Sequence, residues 1–226
     1  MVNPMQRIPE PDELMDDAEQ ALAYARADFS EANRLFVELL EDQGRGALDG
    51  RLLDLGCGPA DIPRVLARRH LGLRIDAVDG APAMLELARH NIDAEPGLAP
   101  RVQLLCEYLP CPHLPAHGYA VVASNSLLHH LADPGVMWQT VARCAAPGAL
   151  VLVMDLARPA SELAVDALVE TYAIDEPEVL RRDFRNSLFA AYTVDEVEQQ
   201  LAAAGLDTLH VGMVSDRHLA VSGRLG

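Results

Sequence analysis

The chain has 226 residues, half of them apolar and 23% charged, with a formal net charge of -16; that length suits one α/β domain with a sizeable core and is short for two. All 18 basic residues are arginine, which excludes a P-loop lysine, a Schiff-base lysine and pyridoxal-phosphate chemistry, while the acidic balance speaks against a nucleic-acid partner. No apolar stretch approaches the roughly 20 residues that cross a bilayer, and Met1–Asp17 lacks the basic start and apolar run of a secretory signal, so a cytoplasmic enzyme is expected.

In chain order, Asp12–Leu40 reads as helical, because Leu14, Ala18, Ala21, Leu22 and Ala25 and then Leu35, Phe36, Leu39 and Leu40 recur at helical spacing. Ser30 is the expected N-cap between two helices. Residues 1–46 are thus expected to form an N-terminal helical lid and residues 47–226 the α/β core of a single domain. From there strand and helix alternate: Arg51–Leu55, helix Ile62–His70, Arg74–Val78, helix Pro82–His90, Val102–Leu105, Tyr119–Asn125, a helix around Gly135–Cys144, and Ala149–Asp155. This rhythm specifies a mostly parallel sheet with helices on both faces. Helices follow at Ser161–Ala173, Val179–Phe189 and Val194–Ala204, with Arg181, Arg182 and Arg185 on a solvated face. Strands Leu209–Val214 and His218–Ser222 end the chain. Only Ser215–Arg217 separates them, so they must run antiparallel. The cysteines, Cys57, Cys106, Cys111 and Cys144, have no C-x-x-C spacing; reduced thiols and no metal are expected.

The strongest local signal is Leu52-Leu53-Asp54-Leu55-Gly56-Cys57-Gly58-Pro59-Ala60-Asp61, a strand entering a glycine turn and then a helix. Gly56 and Gly58 allow a ligand close to the backbone. In a dinucleotide site a third glycine would stand at Asp61. Here Asp54 and Asp61 flank the turn and would repel a pyrophosphate, whereas they suit a ligand carrying an ammonium and a sulfonium. Charge therefore favours S-adenosylmethionine over NAD. Asp79, at the end of the second strand and followed by Gly80, is placed to accept hydrogen bonds from ribose hydroxyls.

As a set these motifs resemble those of the class I S-adenosylmethionine-dependent methyltransferases, especially the small-molecule branch. Leu53–Asp61 resembles that family's glycine-rich first motif, Val78–Asp79 its acidic second motif, Val121–Leu131 its fourth strand and loop, and Pro147-Gly148-Ala149 its turn into the fifth strand. The resemblance implies a Rossmann-like methyltransferase fold: a mostly parallel seven-stranded sheet, an antiparallel C-terminal hairpin, helices on both faces and a helical lid. It implies S-adenosylmethionine as cofactor, held by Tyr24, Asp54, Gly56, Cys57, Gly58, Asp61, Asp79, Gly80, Met84, Asn125 and Ser126, with Cys106 or Glu107 at the adenine. The family's third glycine is replaced by Ala60, and Leu105 stands where many members carry an acid.

Methyl transfer from a sulfonium is an in-line displacement of an activated donor, so the protein chiefly aligns the acceptor and, for some acceptors, removes a proton. His129 and His130 are the candidate catalytic residues, His129 preferred. Arg158 is a candidate for binding an acidic acceptor, with pairing to Asp155 as its structural alternative. The partner is a small-molecule acceptor, on O, N, S or C; no Asn-Pro-Pro-Tyr follows the fourth strand, which argues against adenine N6 or glutamine methylation. Handling of a thiol or metalloid by the cysteines is a minor variant. A methyltransferase-like binding or regulatory subunit without chemistry, and an NAD-dependent oxidoreductase, are the alternatives. The oligomeric state is open, a homodimer being one option.

Overall fold

The computed structural model describes residues 5–10, 24, 27–46 and 48–226. Its helices are α1 (Ser30–Gly44), α2 (Asp61–Arg69), α3 (Pro82–Asp93), α4 (Gly135–Cys144), α5 (Glu162–Tyr172), α6 (Glu178–Ala190) and α7 (Val194–Ala203). Its strands are β1 (Gly50–Leu55), β2 (Leu73–Asp79), β3 (Val102–Cys106), β4 (Tyr119–Asn125), β5 (Ala145–Leu156), β6 (Leu209–Met213) and β7 (His218–Arg224). One sheet holds all seven in the order β3-β2-β1-β4-β5-β7-β6. Strands β1 to β5 run parallel, and β7 is antiparallel to both β5 and β6, as the short Ser215–Arg217 connection requires. The chain builds outward from β1 to β3 and then returns to lay β4 on the other side of β1. Such a reversal opens a crevice at the carboxyl ends of the strands.

Alternation along β1 assigns its side chains to the two faces. Leu52 joins Phe36, Val37 and Leu40 of α1 and Leu66 of α2 in one core layer. Leu53 and Leu55 join Met137, Trp138 and Val141 of α4 and Val197 and Leu201 of α7 in the other. Each such leucine, fully removed from water, contributes about 1.5–3 kcal/mol. Trp138 is fully buried in this layer, its indole N–H donating to Gln200 Oε1 at 2.9 Å. A smaller cluster under α5 and α6 contains Leu156, Val165, Leu188 and Phe189. Arg182 and Arg185 pair with Asp183 and Asp166 on the surface.

The structure differs from the sequence expectation in three places. Of the expected lid, α1 is a layer of the core, because three of its apolar residues are needed to cover β1 and β5; the preceding helix lies outside the described residues apart from Tyr24. Ser30 is not the N-cap: it is the first residue of α1, and its N–H donates to Asp28 Oδ1 at 2.9 Å. β5 starts at Ala145 rather than Ala149, since Tyr119 pairs with Ala145 across a register shift that absorbs Pro147-Gly148. No described helix is long and apolar enough to cross a membrane.

The first residue of β7, His218, is buried and bonded to Ser215 through Nδ1 at 2.9 Å. Burial and the adjacent Arg217 push its imidazole down to about 4. Its folded value thus lies below the ordinary 6.5, so the unfolded chain takes up a proton first as the pH falls. The stability that the neutral ring secures is complete above about pH 6.5 and declines toward pH 4, by about 3 kcal/mol in all. Urea unfolding at pH 7.5 and 5.0 should show His218→Gln losing less stability than wild type over this interval; equal losses would dismiss the group.

Candidate active site

The crevice at the carboxyl ends of β1, β2 and β4 is a cavity of about 330 Å³. Its floor is the turn after β1. Gly56 (φ 75°) and Gly58 (φ 52°) are left-handed, where an L side chain is strained. A Cβ on Gly56 would meet Leu127 Cβ at 2.9 Å, whereas one on Gly58 would meet nothing within 4 Å. Gly56 therefore lets the β4 loop close down on the turn, and Gly58 leaves open space for a ligand. Ala60 is left-handed too (φ 65°), a conformation that costs an alanine roughly 1–2 kcal/mol. The turn has kept a glycine-like shape without the glycine.

Asp79 ties that turn to β2. One carboxylate oxygen accepts the Gly58 N–H at 2.8 Å and the other the Ala81 N–H at 2.8 Å. Burial raises its pKa, and these two backbone donors restrain the rise. Both oxygens keep lone pairs for hydroxyl donors. Gly80, Ala81 and Met84 continue the same wall, and Tyr24 packs against Ala81 and Met84. The Tyr24 ring packs against Phe29 at 4.5 Å. Burial, and then the carboxylates of Asp61, Asp79 and Asp155, push its phenol up to about 12, so it remains a neutral hydroxyl.

Asp54 lies one residue before the end of β1, buried at 2% exposure. Burial first, and the charge of Asp79 second, push its carboxyl up to about 7. Asp54 does not line the cavity wall, whereas Asn125 and Ser126 do, the latter held left-handed (φ 58°) by a bond from its N–H to Met154 O at 2.9 Å. Asn125 Oδ1 is buried with no hydrogen-bond partner among the described residues. A buried acceptor left unpaired is costly, and this one stands on the wall of a cavity.

The profile of the family described as "Methyltransferase domain" matches residues 24–211. The chain belongs to that family. The methyltransferase domain is 33% identical over 141 residues to a ubiquinone biosynthesis O-methyltransferase of Caulobacter sp. strain K31, covering 59% of this chain and 52% of that protein. It is 38% identical over 97 residues to a trans-aconitate 2-methyltransferase of Mycobacterium tuberculosis, covering 43% of this chain and 33% of that one. The chain thus spans about half of the first relative's length and a third of the second's. Among solved structures, a SAM-dependent methyltransferase from Aquifex aeolicus superposes with a TM-score of 0.68 at 19% identity, over 93% of this chain and 99% of that one. The plantazolicin methyltransferase BpumL in complex with SAH gives 0.71 at 11% identity, over 93% and 91%. These two share the fold, and the Rossmann-like methyltransferase architecture expected from the motifs stands.

Within the methyltransferase domain most of the expected site residues converge: Tyr24, Gly56, Gly58, Asp79, Gly80, Met84, Glu107, Asn125, Ser126 and His130 all line the cavity. Others do not reach its wall. Cys57 is buried in the turn with Sγ directed to Gly58 O, and burial with Asp54 and Asp79 keeps it a thiol well above the ordinary range. Asp61 is the first residue of α2 and pairs with Arg64 at 3.2 Å. Cys106 is exposed at the end of β3, so of the two adenine candidates Glu107 faces the cavity, its N–H anchored on Asp79 O at 3.2 Å.

The histidines exchange places with respect to expectation. His130 lines the cavity, while His129 is buried behind it with Nδ1 2.5 Å from Asp155 Oδ1. The two rings stay packed together, their centroids 4.0 Å apart, but the short helical turn Leu128–His130 sets His129 deeper, against Asp155, and His130 at the cavity wall. Burial alone would lower His129 and raise Asp155; their mutual attraction outweighs it, leaving His129 raised and Asp155 lowered. Asp155 being so engaged, Arg158 pairs elsewhere, with Glu196 Oε1 at 2.6 Å and Ala191 O at 3.0 Å. Glu196 also closes a capping box with Thr193 at the start of α7, so this contact joins the end of β5 to that helix. Arg158 borders a separate open groove, not the cavity.

Sequence reasoning missed Tyr108, Leu131 and Asp133 on the cavity rim. It also missed Arg7 and Glu10. The Arg7 guanidinium donates to Ala190 O, His129 O and Leu131 O at 2.6, 2.9 and 3.2 Å, and lies 4.2 Å over the Tyr192 ring. Glu10 accepts from Ser187 Oγ at 2.6 Å and pairs with His130 Nδ1 at 2.5 Å. No spacing pattern announces contacts between residues so far apart in sequence.

Proposed function

We propose that this domain transfers a methyl group from S-adenosylmethionine to a small-molecule acceptor by in-line displacement. The observation that carries the cofactor assignment is Asn125 Oδ1, an orphaned buried acceptor on the wall of an otherwise acidic cavity. Asp79, Glu107 and Asp133 line that cavity, with Asp54 buried at the end of β1, and no arginine lines it among the described residues. Such a lining accepts hydroxyl and ammonium donors and favours a sulfonium, and it offers nothing to a pyrophosphate. Asp79 is the ribose acceptor, Glu107 sits on the adenine side, and Asn125 with Asp54 takes the amino-acid end.

The methyl group is already activated when the cofactor is bound; the chain holds the acceptor in line and excludes water. Tyr24, Leu131 and the His129–His130 pair stand on the acceptor side, with His130 the nearer. The names of the two relatives, one for ubiquinone biosynthesis and one for trans-aconitate, support a small acceptor. Calorimetric titration with S-adenosylmethionine tests the reading. Wild type should bind in the micromolar range and Asn125→Ala roughly tenfold more weakly, the cost of about one hydrogen bond to a charged group. Tighter binding of NADH than of S-adenosylmethionine would overturn it, and cofactor binding without turnover on any acceptor of a broad panel would favour a non-catalytic subunit.

A further inference from the structure

Beside the cavity, three side chains from two distant parts of the chain converge. Glu10, His129 and His130 each offer a ligand atom within 4.8 Å of the others. We propose that they form a site for a divalent transition ion, with zinc(II) or cobalt(II) as the matching class. Two imidazoles and one carboxylate are the donors of a borderline ion; magnesium and calcium take oxygen shells.

Three features beyond proximity support a built site. Asp155 holds His129 Nδ1 at 2.5 Å and is itself fixed by the N–H groups of Leu156 and His129, at 2.6 and 3.2 Å. That contact leaves Nε2 as the donor, the carboxylate–histidine arrangement that orients metal ligands. Ser187 Oγ, donating to Glu10 Oε1, orients the third donor in the same way. The segment carrying Glu10 is anchored independently of any ion, by the three Arg7 bonds and by Ile8 N–H to Phe189 O at 3.0 Å.

Metal–donor distances of about 2.0–2.2 Å place donors no more than about 4.4 Å apart; the donors here lie within 4.8 Å of one another, and an ion would take the place of the proton that Glu10 and His130 Nδ1 share at 2.5 Å, with small side-chain movements. Charge is favourable too: with neutral imidazoles, Glu10 and Asp155 outnumber the neighbouring guanidinium of Arg7. Three protein donors leave a coordination position open, and through His130 the cluster borders the cavity. That position would take an anionic oxygen or a nitrogen of the acceptor and hold it for attack. This last role rests on the proposed methyl transfer; ion binding itself does not.

The test uses the full-length protein treated with EDTA, titrated with zinc chloride by calorimetry and with cobalt chloride by visible absorption. One equivalent should bind with a Kd near or below about 1 μM, and cobalt should give the d–d bands of a low-coordinate nitrogen–oxygen site. Glu10→Gln and His130→Gln should each weaken binding by about tenfold or more, while His113→Gln, an exposed control, should leave it unchanged. No uptake by wild type at 100-fold higher ion concentration, or equal affinity in the two ligand variants, would overturn the site. Titrating every preparation with S-adenosylmethionine reads the neighbouring cavity separately, so loss of the ion site and loss of the cofactor site are distinguishable. Should His130→Gln fail to fold, Glu10→Gln, on the anchored N-terminal segment, decides alone.

Discussion

Asp79→Ala should abolish measurable S-adenosylmethionine binding, raising Kd by at least about 100-fold. Two effects combine. The carboxylate is the ribose acceptor proposed for this cavity, and two hydrogen bonds to a charged acceptor are worth about 3 kcal/mol or more. It also accepts the Gly58 and Ala81 N–H groups, so its removal frees the glycine turn on which the cofactor would lie. Asp79→Asn keeps the size of the side chain but fills neither role completely. Its single carbonyl oxygen serves one backbone donor, and its amide faces the other with a donor, so it should also bind poorly despite its matching size. Calorimetry, with circular dichroism confirming an intact fold, measures the difference. Binding within tenfold of wild type in Asp79→Ala would place the ligand elsewhere.

The second large effect concerns Asp54, whose carboxyl is pushed up to about 7 by burial and by Asp79. Below that pH the ligand-free protein carries it protonated. A cofactor ammonium favours the carboxylate, so binding should release a proton, and affinity should climb by up to tenfold per pH unit between about 5 and 7. Above about pH 8 the ligand's own amino group loses its charge and the gain ends. Asp54→Asn should flatten the acid limb and bind weakly throughout.

The same shift has the opposite sign for stability. A carboxyl raised above its unfolded value of 3.8 destabilises the fold progressively as pH rises from about 4 to 7. Asp54→Asn should therefore stabilise the ligand-free protein at pH 7.5, on the order of 2–4 kcal/mol, while impairing cofactor binding. Calorimetric titrations in buffers of different ionisation enthalpy count the protons released. A pH-independent affinity in wild type would remove Asp54 from the ligand contact.

Much of the molecule is legible in the sequence itself. The alternation of apolar strands with helices, and the three-residue link before β7, specify a parallel sheet ending in an antiparallel hairpin, because strand spacing and connection length are local properties. The glycine turn, Asp79 and Asn125 were legible for the same reason: each sits at a strand end, and strand ends in such a sheet gather at one edge. Tertiary structure alone decided the rest. The short turn at Leu128–His130 put His130, not His129, on the cavity, a difference of a few backbone torsions. Arg158 found Glu196 because Asp155 had already been taken by His129, a competition among buried charges that appears only once they are packed. α1 became core because β1 and β5 needed covering, whatever its place in the chain. Glu10 and Arg7 reached the histidine turn through contacts that span most of the sequence; these depend on where the N-terminal segment crosses α6, and no periodicity or motif encodes that crossing.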